Sequence, residues 1–283
     1  VRTFFDALGY LEVETPIRIP APAPEAHVDA QPSGDAFLQT SPELCMKRLL
    51  STDFNRIYQI CKCFRRQERG LRHLPEMTLL EWYTVGSEYG AMMAQTESLV
   101  HHVAKAVGRV RLFYDGHTVD LSPPWSRMTV TEAFTHYACV TPEEALSQDR
   151  FEEILTLNVE PHLGYPRPTF LYDYPIACGA LARAKPAAPH LAERFELYVA
   201  GMELCNGFTE LNDSVEQRRR FAAELAQRKS AGLTVYPPPE PFLQALVTMP
   251  PAGGNALGLD RLTMLLAGAD CIDEVVTFTP EEL

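Results

Sequence analysis

The stretch FRRQERGLRHLPEMTLLEWY, from Phe64 to Tyr83, restricts the fold more than any other part of the chain. Ahead of it, Arg56 to Cys63 is short, apolar and partly β-branched. Behind the basic residues, Glu76 to Tyr83 alternates as a half-buried strand does. Arg65, Arg66, Arg69, Arg72 and His73 lie between the two runs. Two strands joined by a cationic loop predict an antiparallel hairpin whose tip can receive polyphosphate. The plainer alternative is a solvated basic loop on an ordinary hairpin. Period two places Met77, Leu79, Glu81 and Tyr83 on one face and Thr78, Leu80 and Trp82 on the other. A carboxylate and a phenol therefore share a face downstream of an arginine cluster.

The rest of the chain sets the context for that loop. A formal net charge of −12 excludes a generic nucleic-acid coat, because non-specific binding rests on neutralising phosphates. No apolar run approaches the roughly 20 residues that cross a bilayer, and no basic-then-apolar leader is visible. Val1 falls inside a helical pattern, so further residues are expected upstream. Seven scattered cysteines suit reduced thiols and a cytoplasmic protein. Cys61 and Cys63 share a strand face, but without a second pair they do not make a zinc site. With 46% hydrophobic residues, 283 residues suffice for one large α/β or α+β domain, or for one domain with a small insertion.

Local signals fill in the order of elements. Arg2 to Leu8 reads as a helix stopped by Gly9, and Tyr10 to Thr15 as a strand ended by Pro16. Ser41 is placed as an N-cap, with Pro42 at the first helical position and Glu43 in the first turn. Glu88 to Val107 is an amphipathic helix. Residues 126–164 read as short helices forming a small insertion without visible chemistry. Arg194 to Val199 and Met202 to Glu210 predict a second hairpin around Ala200-Gly201. In that register Tyr198 pairs with Glu203 and Glu196 with Cys205, so Glu196 and Glu203 are diagonal neighbours roughly 7–8 Å apart. Magnesium bridging them to phosphate is one occupant, and an exposed acidic face is the alternative. Asn206 and Glu210 have the opposite parity from Glu203, so a bulge is expected at Gly207. Asp213 to Lys229 is a helix with a predicted capping box from Asp213 to Glu216. Gly253-Gly254-Asn255-Ala256-Leu257-Gly258 leads to Arg261 and an apolar helix. It is neither GxGxxG nor a P-loop, and reads as a close approach to a nucleotide or as a turn before a core helix.

Four segments, TSPE, FRxxE…HxPE…LEWY, ELCNGFTEL and GLDR, occur in the order seen in class II aminoacyl-tRNA synthetases. Together with GYLEVETP they resemble the lysyl branch of that class, and within it the shortened paralogues that act as elongation factor P–lysine ligases. The resemblance covers nearly the whole chain. It implies an α+β fold, an antiparallel sheet flanked by helices, in a single catalytic domain over 1–283 that carries no anticodon-binding barrel. It further implies a homodimer, ATP and Mg2+ as cofactors, and lysine or β-lysine as substrate. Elongation factor P is the implied acceptor, with tRNA and membranes not expected as partners; the alternatives are a catalytic fragment of a lysyl-tRNA synthetase that charges tRNA and a non-catalytic synthetase-like binding protein.

Site roles follow from the same resemblance. Ser41, Pro42 and Glu43 hold the amino acid, and Arg65 contacts the α-phosphate and the substrate carboxylate. Tyr83 and Glu210 recognise the side-chain ammonium, with Asn206 and Ala256 also lining the substrate. Glu196 and Glu203 are the metal-associated carboxylates. Arg66, Gln67, Glu68, Leu74, Met77, Leu204, Gly258 and Arg261 belong to the nucleotide side. The usual FRNE reads Phe64-Arg65-Arg66-Gln67 here, so Glu68 is the expected replacement for the missing glutamate. Met77 stands where a phenylalanine usually stacks on adenine. An alanine at position 256, rather than glycine, points to β-lysine.

Overall fold

A computed structural model describes all 283 residues, Val1–Leu283. Nine strands form the main sheet. Numbered along the chain they are β1 (Leu11–Glu12), β2 (Arg56–Phe64), β3 (Glu76–Val85), β4 (Ser126–Thr129), β5 (Thr169–Pro175), β6 (Ala184–Lys185), β7 (Ala188–Val199), β8 (Met202–Thr209) and β9 (Ala252–Gly258). Their order is β1-β2-β3-β9-β8-β7-β5-β4, with β6 paired to β7. The central pairings are antiparallel, and only the two edges, β1 on β2 and β4 on β5, are parallel. This is the α+β architecture expected from the alternating strands.

The β2–β3 pair is the predicted antiparallel hairpin, running from Arg56 opposite Thr84 to Phe64 opposite Glu76. Its two faces separate as period two requires. Leu80 and Trp82 enter the larger core with Leu99, Val100 and Leu262 from the helices Tyr89–Ala106 and Leu259–Ala267. Tyr83 turns the other way, toward Leu44, Met46, Phe221 and Phe242 from the helices Glu43–Leu50, Ser214–Ser230 and Glu240–Ala245. Each fully buried Leu- or Phe-sized side chain contributes about 1.5–3 kcal/mol. The site-bearing face is thus roofed by one helical layer while the opposite face is sealed by another.

Several local expectations shift. Tyr10 to Thr15 forms only the two-residue strand Leu11–Glu12, because β2 is the sheet neighbour on one side alone. Residues 126–129 are a strand of the main sheet, so the helical segment begins at Val130; it packs Phe134, Ile154 and Val159 against Leu171, Tyr174 and Tyr198 of the sheet. The glycine-rich run 252–258 is neither a turn nor a loop but the central strand β9. Asp213 caps its helix through the Val215 and Glu216 amides. The Glu216 carboxylate binds Arg219 and Arg220 instead of completing a capping box.

The β7–β8 hairpin carries the most consequential difference. Its two-residue turn is Ala200-Gly201, both at positive φ (54° and 68°), as the mirror-image hairpin turn demands. Tyr198 pairs with Glu203 as predicted, but Leu197 pairs with Cys205 and Glu196 with Asn206. Leu204 is the extra residue, so the bulge lies there and not at Gly207. Gly207 is required by close packing instead, since a Cβ there would meet the Phe195 ring at 2.6 Å and the Gly254 carbonyl at 2.8 Å. The bulge brings Glu203, Asn206 and Phe208 onto the same face as Glu196 and Tyr198, which parity alone forbade.

Candidate functional site

The site is a trough on the sheet's roofed face, with β9 as its floor. Alternate β9 residues Gly254, Ala256 and Gly258 face Tyr83, Glu81 and Leu79 on one side, and Phe208 and Asn206 stand opposite Gly254 and Ala256 on the other. A central strand that presents only hydrogens and one methyl leaves room between two walls of functional side chains. At Gly254 that room is already used, because a Cβ would lie 2.2 Å from Glu210 Oε1 and 2.4 Å from the Tyr83 ring.

One end of the trough is an acidic pocket. The helix Glu43–Leu50 starts one residue later than predicted, with Pro42 at the N-cap. The Ser41 hydroxyl accepts from the Glu43 amide at 3.0 Å and donates to Glu81 Oε1 at 2.6 Å. Tyr83 donates its phenol proton to Glu81 Oε2 at 2.9 Å. Lys47, with a side chain 0% exposed, lies 2.5 Å from Glu43 Oε1 and 2.5 Å from Glu210 Oε2. Its ammonium also sits 4.9 Å from the centre of the Phe208 ring. Stripping one partner from a buried ion pair typically costs about 3–5 kcal/mol, so these contacts hold one another in place. Glu210 Oε1 has no hydrogen-bond donor although it is buried. A buried carboxylate oxygen without a donor is matched by a cationic ligand.

Burial governs the protonation of this end. It pushes Glu81 up to about 7, with the Glu43 charge adding to the effect. Burial likewise pushes Glu210 up to about 8, against the downward pull of Lys47. Lys47 itself would be depressed by burial, but Glu210 and Glu43 reverse the shift and hold it protonated.

The other end is cationic. Arg65 is anchored where the hairpin closes: its amide donates to the Pro75 carbonyl at 2.9 Å, and its guanidinium Nη1 lies 3.8 Å from Glu68 Oε1. Glu68 is thus turned toward Arg65, while Gln67 is exposed at φ 68°. Arg261 stands in the first turn after β9. Its Nη1 donates to the Glu203 carbonyl at 2.6 Å and approaches Glu203 Oε2 at 3.4 Å, and its Nη2 contacts the His73 ring. Asp260 beside it accepts from the Thr78 amide at 2.6 Å and locks the helix start to β3. Burial and the neighbouring Arg261 charge drop His73 to about 4, so the imidazole is neutral. Glu203 acts electrostatically on both Arg65 and His73, and Arg261 contacts both Glu203 and His73 directly.

Between the two ends lies a network centred on Glu196. Its Oε2 accepts from Tyr174 at 2.5 Å and from Tyr198 at 2.7 Å, and its Oε1 accepts from Arg194 at 2.6 Å and Asn206 Nδ2 at 3.4 Å. This differs from the open metal ligand expected of Glu196: both oxygens are engaged, and the carboxylate orients Asn206. The oxygens suited to a hard cation are those of half-exposed Glu203 and Asn206 Oδ1, which is buried without a partner.

The remaining predicted residues divide. Met77 is half-buried on the site face opposite Cys63, and Gly258 has only the Arg261 side chain near, at 3.6 Å. Arg66 is exposed at the hairpin tip. Leu74 and Leu204 are corrections: both side chains are buried in the larger core, at 4% and 2% exposure, facing away from the trough. Glu81, Lys47, His73 and Phe208 join the site without having been assigned to it. Glu81 was legible, since it shares parity with Tyr83; Lys47 was hidden because its second partner lies far along the chain. Glu160 also enters from the helical segment, accepting from Tyr198 at 3.1 Å, where burial and the Glu196 charge push it up to about 7.

Comparison with known proteins agrees with this geometry. Residues 1–282 match the family described as tRNA synthetases class II (D, K and N). A lysine–tRNA ligase of Moorella thermoacetica is 38% identical over 98% of this chain and 62% of its own length. An elongation factor P–(R)-β-lysine ligase of Vibrio cholerae is 36% identical over 98% of this chain and 91% of its own. The chain spans about three fifths of the lysine–tRNA ligases it matches. No helix is long and apolar enough to cross a membrane. A trough with paired arginines at one end and buried carboxylates at the other, on a sheet of this order, agrees with the sequence match: the chain belongs to the class II tRNA synthetase family of the D, K and N type.

Proposed function

We propose that the chain activates lysine or β-lysine with ATP, as an aminoacyl-adenylate, and passes the acyl group to a lysine side chain of elongation factor P. The observation that carries the amino-acid reading is the acidic pocket: Glu43, Glu81 and Glu210 surround one space, and Glu210 Oε1 lacks a donor that an ammonium would supply. Arg65 and Arg261 lie along the same trough, where a substrate carboxylate and the ATP phosphates would meet. The carboxylate attacks the α-phosphorus and pyrophosphate leaves. No protein nucleophile is needed, so placement and charge neutralisation carry the rate. Neutral His73 accepts from Arg261 and fixes the guanidinium plane. Glu203 and Asn206 would hold magnesium, which neutralises phosphate charge when bound. The homodimer implied by the resemblance would close over the edge strand β1, where Leu11 is 51% exposed.

Ala256 supports β-lysine over α-lysine. Its methyl stands between Glu81 and Asn206 on the floor of the trough, where a glycine would leave the space open. Ala256→Gly is expected to shift preference toward α-lysine by roughly tenfold or more, in line with the worth of one methylene in a pocket. Pyrophosphate exchange with each isomer checks this, and an unchanged ratio removes Ala256 from the explanation. The acceptor is tested by incubating protein, ATP and lysine isomers with elongation factor P and with tRNA. Mass gain on elongation factor P is the expected result. Gain on tRNA alone favours a lysine–tRNA ligase, the reading to which 38% identity with such an enzyme lends weight.

A further inference from the structure

The amino-acid pocket contains a cation of its own. Lys47 projects from the helix Glu43–Leu50 into the space shared by Glu43, Glu81, Tyr83 and Glu210, with no exposed side-chain surface. Both of its carboxylate partners are groups that the proposed function assigns to substrate. We infer that Lys47 is a built-in counter-ion that sets the pocket's formal charge to that of a diamino acid's two ammonium groups. Once Glu43, Glu81 and Glu210 are all ionised, as ammonium binding requires, the one fixed ammonium leaves two negative charges. A substrate with two ammonium groups balances them, and a monoamino acid leaves a buried charge unmatched. Lys47 is therefore a positioning residue: it acts through the carboxylates and selects for charge without touching the reacting atoms.

The inference rests on the lysine-type reading of the site, and it has its own signature. Ammonium binding needs ionised carboxylates, so the KM for lysine falls as pH rises through the titration of Glu81, near 7, and Glu210, near 8. Lys47 draws Glu210 downward, and Tyr83 and Ser41 donate to Glu81 alone. Removing the ammonium therefore raises Glu210 further and moves the fall in KM to higher pH.

The test is lysine-dependent pyrophosphate exchange across pH 6 to 9 for wild type, Lys47→Met and Lys47→Arg. Lys47→Met is expected to raise the lysine KM at neutral pH on the order of tenfold, the effect of about one unit in a carboxylate's titration, with the ATP KM little changed. Lys47→Arg keeps the charge and should keep most of the affinity and the wild-type pH limb. A lysine KM and limb unchanged in Lys47→Met overturn the inference, as does a lowered KM, which would make Lys47 a competitor of the substrate ammonium. If Lys47→Met does not fold, Lys47→Arg decides: loss of lysine affinity with the charge retained makes the residue a packing element only. Wild-type exchange with either lysine isomer is the separate control, and its absence removes the reading of the site while leaving the charge arrangement untouched.

Discussion

Replacing Arg261 with alanine is expected to lower lysine-dependent pyrophosphate exchange roughly a hundred- to a thousandfold, the usual cost of removing one preorganised group aimed at developing charge. The guanidinium is already oriented before any ligand arrives. Its Nη1 holds the Glu203 carbonyl, its Nε reaches the Arg72 carbonyl at 3.3 Å, and the neutral His73 ring meets Nη2. Little reorganisation is then required when phosphate charge builds up. Arg261→Lys keeps the charge but loses the planar fork, so it should recover only a small part of the lost rate. Because Arg261 also ties β8 to the helix after β9, melting temperature is measured alongside. A variant that melts like the wild type and retains exchange within a fewfold would show that Arg261 braces the fold and leaves the phosphates to Arg65.

How much of this was legible in the sequence depends on how local each determinant is. The β2–β3 hairpin was readable because an apolar, partly β-branched run, a basic loop and an alternating run lie within thirty residues, while the register itself came only with the fold. The β7–β8 turn was readable because Ala-Gly sits between two strand patterns and tolerates positive φ. The bulge was anticipated but misplaced. Parity in fact confines the extra residue to the stretch between Glu203 and Asn206, because Asn206 and Glu210 already share a face, so a bulge at Gly207 could not have brought Asn206 round. The core decided for Leu204, whose side chain has apolar neighbours on the far face, while Gly207 was already committed to the close approach of Phe195 and β9. Leu74 was placed on the nucleotide side by the resemblance alone, and only the fold shows that the core behind the loop takes its side chain. The Lys47–Glu210 pair joins residues too distant in the chain for any periodicity to connect. Ser126–Thr129 read as part of a helical insertion because a parallel edge strand has no turn signal to announce it.

Gly254→Ala is expected to raise the KM for lysine on the order of a hundredfold while changing the ATP KM only slightly, the scale of loss that follows from misplacing a binding group by about 1 Å. The added methyl would meet Glu210 Oε1 at 2.2 Å and the Tyr83 ring at 2.4 and 2.6 Å, so something must move. Glu210 is paired to Lys47 on its far side, and Tyr83 is held by its hydrogen bond to Glu81. Backbone strain is not involved, because Gly254 has ordinary strand geometry and lies in register with Tyr83 and Phe208. The whole cost therefore falls on the two side chains that would receive the ammonium. At Gly258, by contrast, a methyl would find only the Arg261 side chain, at 3.6 Å, so Gly258→Ala should leave the lysine KM near its wild-type value. Exchange kinetics on the two variants, with lysine and ATP titrated separately, compare the ends of the trough directly. Equal effects of the two alanines on lysine binding would mean that the amine is not recognised at the Glu210–Tyr83 end.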